Sequence, residues 1–166
     1  MERILHDILV RLEDEAPVLG LSYVDEDFGQ LEALDNEEDT YPLTFPAVLV
    51  EVQDMNWAHT DGLNQEGTAT VIVRLLIDCY DDTHAHSTTI DKILERSRLN
   101  RDLTEVLHGL RILDNTSELT RIASRSYNGP HLIKVYETTY TAKVWEKFKE
   151  EGATTLRSIK LTAKLK

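Results

Sequence analysis

The chain has 166 residues and a mass of 19.0 kDa, room for one ordinary domain and too little for two of typical size. Hydrophobic residues at 41% and charged residues at 29% lie near globular averages, which excludes a disordered, collagen-like or coiled-coil chain. A single Cys excludes an internal disulfide framework and any multi-Cys zinc or iron-sulfur site, and it fits a reducing compartment.

The first residues include Glu2, Arg3 and Asp7, and no apolar run approaches the roughly 18 residues of a membrane span, so a soluble, intracellular protein is expected. The net charge of −12 is unevenly spread. Residues 1–66 carry 17 acidic side chains against Arg3 and Arg11, a balance of −15, whereas residues 67–166 carry 16 basic against 13 acidic, a balance of +3. One reading is solubility through like-charge repulsion. The other is head-to-tail contact between copies, acidic part against basic part. The acidic balance, with no Lys/Arg run interleaved with aromatics, argues against direct nucleic-acid binding.

In chain order, Ile4, Leu5, Ile8, Leu9 and Leu12 repeat at helical spacing before Pro17 and Gly20, predicting an amphipathic helix within residues 1–20. Residues 21–44 are sparse in apolar side chains and rich in acids, including Asp25, Glu26, Asp27, Asp35, Glu37, Glu38 and Asp39. They read as an exposed acidic connection with one helical turn, ordered only on assembly. Pro46 leads into a strand at Ala47–Val52, followed by a polar loop from Met55 to Glu66. From Gly67, strict alternation puts Ala69, Val71, Val73, Leu75, Ile77 and Cys79 on one face of a long strand. The two strands make a long hairpin, with Cys79 among the core-facing set.

Beyond Asp81 the period turns helical. Ile90, Ile93 and Leu94 share one face, while Leu103, Val106, Leu107 and Leu110 share a nearly opposite one. A single straight helix cannot bury both sets, which predicts a break between Leu99 and Asp102, with Ser87 or Thr88 capping the first of two short helices. Asn128-Gly129-Pro130 then divides Leu119–Tyr127 from Leu132–Val144, a second hairpin. These elements form an α+β core over residues 45–144. Residues 145–166 read as a charged spacer and a strand with Ile159, Leu161, Ala163 and Leu165 on one face and lysines on the other, as at sheet edges. The whole chain, 1–166, is read as one domain.

Asp81-Asp82-Thr83-His84-Ala85-His86 is the one dense group of ligand-type side chains. On extended backbone His84 and His86 point the same way and can share a metal, which supports a small metal-dependent hydrolase or ligand-binding domain using Asp81, Asp82, His84 and His86. The same residue types also suit the turn and cap hydrogen bonds of a strand-to-helix junction. No G-x-S-x-G elbow, H-E-x-x-H or P-loop occurs, and Gly is scarce at seven residues, so no enzymatic activity and no cofactor are expected. Met55 and Trp57 either fold back on the core or anchor a neighbouring subunit. The stripe containing Ile159 and Leu161 either completes this sheet or pairs with a second copy.

The order of elements, carried by Phe45-Pro46-Ala47-Val48-Leu49-Val50, Gly67–Tyr80, the helical stretch Thr89–Leu110 and Leu119–Val144 with its Asn128-Gly129 turn, resembles the tail-completion family of long-tailed phages and prophages, the tail terminators and minor tail proteins. The resemblance spans about two-thirds of the chain and leaves out residues 25–39 and those after Gly152. It implies an α+β fold, an antiparallel sheet of two hairpins with helices packed on one face. It further implies a hexameric homo-oligomeric ring that stops the tail tube and meets the head connector. Such a protein is a structural virion-assembly protein, cytoplasmic during assembly and later part of the virion tail, without a membrane or nucleic-acid partner. On this resemblance the interface residues are Met55, Trp57, Ile159 and Leu161.

Overall fold

The computed structural model describes residues 1–35 and 43–148. Helix α1 spans Glu2–Leu19, where i, i+4 spacing brings Ile4, Leu5, Ile8 and Leu12 onto one buried stripe. Gly20 ends it in the left-handed region at φ 69°, a conformation that costs glycine no Cβ clash and turns the chain back onto the sheet. Strand β1 is Tyr23–Glu26, α2 is Gln30–Asp35, β2 is Ala47–Val52 and β3 is Asn56–Asp61. Strand β4 is Asn64–Asp78, α3 is Lys92–Leu107, β5 is Thr120–Asn128 and β6 is Ile133–Lys147.

The strands form one six-stranded sheet in the order β1-β2-β4-β6-β5, with β3 also paired to β4. Its spine is the antiparallel pairing of β4 with β6 over 15 residues, from Asn64 opposite Lys147 to Asp78 opposite Ile133. At ~3.3 Å per residue that spine is about 46 Å long, far longer than an average strand. Period-two alternation sorts its side chains into two layers. Val48, Val50, Ala69, Val71, Val73, Leu75, Ile77, Tyr140, Ala142 and Val144 face α1 and α3, meeting Ile8, Leu12, Leu103 and Leu107 in the main core. Cys79 packs against this core, partly buried, as its place in the alternation predicts. On the reverse face Ala47, Leu49, Leu76, Ile133 and Val135 form a smaller core with Leu31 of α2.

The α+β class and both hairpins are present, with five corrections of detail. The sheet is not wholly antiparallel, because β1 runs parallel to β2 with Tyr23 opposite Ala47 and Glu26 opposite Val50. Nor do the helices share one face, since α2 covers the reverse side. The acidic connection is therefore structured over residues 23–35: a strand of only four residues, two of them charged, escapes pattern reading, and its pairing is supplied by β2. Residues 36–42 of that connection lie outside the described residues.

The polar stretch after β2 is also ordered. Gln53 N–H donates to Thr70 O at 2.9 Å, and β3 continues along β4 from Asn56 opposite Thr68 to Asp61 opposite Asn64. A turn at Gly62-Leu63 closes the hairpin, with Gly62 at φ 50°. The final correction concerns α3, which is a single helix from Asp91, its N-cap, to Leu107. The two opposed apolar sets are real, but the helix resolves the conflict by burying Leu103 and Leu107 and leaving Ile93 and Leu94 at 44% and 52% exposure. The N-cap is thus neither Ser87 nor Thr88, and the Ser87 hydroxyl instead accepts the Thr89 N–H in the preceding turn.

This division of α3 sets a clear contrast. Leu107→Ala should lower the unfolding free energy by about 2–4 kcal/mol, and Leu94→Ala should change it by less than about 0.5 kcal/mol, both read by urea denaturation at constant m-value. Equal losses would place Leu94 in the core.

Candidate functional site

Three groups of side chains stand apart from the core, and the first is the acidic and histidine segment. His84 Nε2 lies 3.3 Å from Asp82 Oδ2, and its Nδ1 accepts the His86 N–H at 3.1 Å. The Asp82 carboxylate accepts the His84 N–H at 3.3 Å, and the hydroxyls of Ser87 and Thr89 both donate to Asp82 O. These are the bonds of a turn leading into a helix. Both nitrogens of His84 are engaged locally, and among the described residues no three His, Cys, Asp or Glu side chains converge on one point. The side chains of Asp81, Asp82, His84 and His86 stand on an exposed connection, where a bound ion would remain open to water.

The second group is ionic and lies on the reverse face of the sheet. Arg74 stands in β4 between Ile72 and Leu76, opposite Leu49 on one side and Glu137 on the other. Its Nη1 reaches Asp27 Oδ2 and Glu32 Oε1, each at 3.0 Å, and its Nε lies 3.4 Å from Glu137 Oε2. Arg125 of β5 grips the same Glu137 carboxylate bidentately, Nε to Oε1 at 2.7 Å and Nη2 to Oε2 at 2.9 Å. The Tyr127 hydroxyl donates to Glu137 Oε2 at 3.3 Å while its ring lies 5.2 Å beneath the Arg125 guanidinium. The Asp27 side chain is 5% exposed and that of Glu137 7%.

Local turn chemistry delivers Asp27 to this site. Its Oδ1 accepts the Gly29 N–H at 3.2 Å, Gly29 takes φ 96°, and buried Gln30 donates to Glu26 O at 2.6 Å. The two buried carboxylates respond in opposite ways. Burial pushes the Asp27 carboxyl above its ordinary value despite the pull of Arg74, whereas hydrogen bonds from Arg125 hold Glu137 below its own, against desolvation. The arrangement clamps four strands and α2 together. Each charged member has an ion-pair partner inside the cluster, although the buried Asp27 Oδ2 and Arg74 Nε make no hydrogen bond. The sequence marks it only as Arg74 interrupting an apolar alternation.

The third group is apolar and exposed. At one end of the β4-β6 spine, Trp57 lies over Gly67, where an added Cβ would sit 2.8 Å from the indole Cε3. Glycine thus lets the ring lie flat on the neighbouring strand, and the indole is still 41% exposed. On the reverse side of the same end, Trp145 donates from Nε1 to Glu66 Oε2 at 3.0 Å, beside the Lys143–Glu66 ion pair at 2.7 Å. Trp145, Leu63 and Phe148 are all exposed there, and Phe148 N–H donates to Leu63 O at 3.0 Å. At the opposite end of the spine, Ile90, Ile93 and Leu94 face outward, and Tyr80 just past β4 is also exposed. Met55 is partly buried against the main core, while Ile159 and Leu161 lie outside the described residues. Sequence reasoning singled out Trp57 but missed Trp145, Leu63 and Phe148. It saw Ile93 and Leu94 as a stripe without recognising that the stripe stays uncovered.

No protein-family profile matches the chain, and no curated protein matches it. Among solved structures, a chain from the virion of a native gene transfer agent particle is similar, with 10% identity and a TM-score of 0.49, over 79% of this chain and 84% of that one. No helix among the described residues is long and apolar enough to cross a membrane.

Two measurements check this site. With folded Glu137 below 4.5, its stabilisation is present above pH 4.5 and fades as pH falls through the depressed value; raised Asp27 opposes folding at neutral pH and ceases to do so as pH falls toward 3.8. Glu137→Gln should therefore cost on the order of 1–3 kcal/mol at neutral pH and progressively less in acid. Asp27→Asn should be neutral or stabilising at pH 7, with any advantage vanishing toward pH 4; a larger loss for Asp27→Asn than for Glu137→Gln would reverse this assignment. Zinc titration should leave Tm unchanged, and a rise of several degrees abolished by His84→Ala would establish the histidine turn as a metal site.

Proposed function

We propose that this chain is a non-enzymatic structural subunit of a phage or prophage tail, forming a ring that ends the tail tube and joins it to the head connector. The observation that carries this reading is the placement of exposed apolar side chains at both ends of the β4-β6 spine. Trp57, Leu63, Trp145 and Phe148 stand at one end, Tyr80, Ile90, Ile93 and Leu94 at the other. Water-exposed aromatics and branched aliphatics gathered in groups mark contact surfaces. Two unlike patches on one subunit suit a heterologous contact, in which each copy offers one surface to the copy before it and another to the copy after it.

The order of elements that resembles the tail-completion proteins supports the same reading. So does the ionic cluster around Arg74, whose ion pairs lie within the fold. On this view the ring makes contact with the tube on one side and the connector on the other through shape and apolar burial, with no reaction required. Its place is the virion tail, reached after assembly in the cytoplasm.

Light scattering on the purified chain should give a mass several times 19.0 kDa, with closed rings visible by negative-stain microscopy. Ile93→Glu with Leu94→Glu should shift the mass toward the monomer or abolish end-capping of tail tubes, with Tm unchanged because both side chains are already exposed. A strict monomer at high concentration that also leaves tube length unaltered contradicts the reading.

A further inference from the structure

The two outer strands of the sheet differ in charge. Strand β5 forms one edge, and eight of its nine residues are exposed, with Tyr127 alone partly buried. It carries Arg121 and Arg125 and no acidic residue. Arg121 has no ion-pair partner among the described residues, and beside it the register slips between Arg121 and Ala123, leaving Ile122 outside the ladder at 59% exposure. At the far side of the sheet, β1 carries Asp25 and Glu26, and α1, which packs against β1 and β2, exposes Glu13 and Asp14. Glu26 is exposed and has no ion-pair partner among the described residues. Among the described residues the two edge strands thus carry opposite charge, Asp25 and Glu26 on β1 and Arg121 and Arg125 on β5.

We infer that the occupant of the β5 edge is a second copy of this chain, which presents its acidic β1 and α1 flank to Arg121, Ile122 and Arg125. Charge complementarity selects this partner: a β5-to-β5 contact would bring basic edges together, and two acidic flanks repel likewise. Arg125 can contribute while keeping Glu137, because its side chain is 68% exposed beyond that pair. The bulge turns Ile122 outward beside Arg121, adding an apolar contact at the centre of a charged edge. Because the flanks differ, the contact is directional and repeats from copy to copy. The inference rests on the self-assembly proposed above and names the surfaces that make it.

Charge swaps test it. Arg121→Glu and Glu26→Arg should each weaken self-association by roughly tenfold or more at about 0.05 M salt, where screening is weak. Circular dichroism and Tm should match the unaltered protein, since neither side chain has an ion pair to lose. The double variant Arg121→Glu/Glu26→Arg should regain assembly, and so should an equimolar mixture of the two single variants, in which every junction again joins unlike charges. Full assembly by both single variants, or failure of both the double variant and the mixture to regain it, overturns the contact while leaving assembly through the apolar ends intact. A monomeric unaltered protein overturns both.

Discussion

The 15-residue pairing of β4 with β6 is the constraint on which the rest of the molecule depends. A ladder of this length fixes the register of both strands, and because side chains alternate, a slip of one residue would exchange the two faces everywhere at once. The register in place puts Leu75 beside Tyr136 and Val71 beside Tyr140 beneath α1 and α3, and Arg74 beside Glu137 on the reverse side. Both cores and the ionic cluster thus follow from one alignment. The same length explains the Trp57 end, where the strands run past the helical layer; at the other end the exposed side chains belong to α3 and the turn before it.

The cluster around Arg74 solves a problem that the spine creates. The reverse face is narrower in apolar residues, and the helix that covers it, α2, has only six residues, too few to be stable without tertiary contacts. Asp27, Glu32 and Glu137 converge on Arg74 and tie the β1-α2 segment to β4 and β6. Buried ion pairs add little net stability, since desolvation offsets much of the attraction, yet removing one partner leaves a costly orphan. Their effect is to allow one placement of this segment and to penalise others. The cluster is divided unevenly: Arg125 donates two hydrogen bonds to Glu137, whereas at Asp27 burial outweighs the pull of Arg74.

Periodicity made the main layer readable. Ala69 to Cys79 alternate so regularly that β4 and its inward face follow from the residues alone, and Asn128-Gly129-Pro130 marks the second hairpin as plainly. Where local pattern and tertiary context diverge, reading the residues fails for physical reasons. Strand β1 has no hydrophobic repeat, because its order comes from lying parallel to β2. Strand β3 has no apolar repeat, with Trp57 and Ala58 set among polar residues, and its pairing with β4 is what tells it from a loop. In α3 the conflict between Ile93-Leu94 and Leu103-Leu107 is visible in the residues, but a single helix resolves it by leaving one set in water rather than by breaking. Of the candidate site, Trp57 was legible as an aromatic in a polar stretch. Trp145 and Phe148, which belong to the far end of β6, become neighbours of Leu63 only through the register of the spine.

The assembly role proposed above asks of the chain that it keep its contact surfaces at fixed separation. The long spine separates the two groups of exposed apolar side chains, and the width of the sheet separates the acidic and basic edge strands. Hydrogen-deuterium exchange across a dilution series tests this arrangement most directly. Protection in the middle of β4 and β6 should be independent of concentration, because it belongs to the fold. Protection at residues 90–98 and 120–128 should fall as the protein is diluted, because partners supply it. Exchange in those two segments that stays constant from the most concentrated to the most dilute sample would contradict the account.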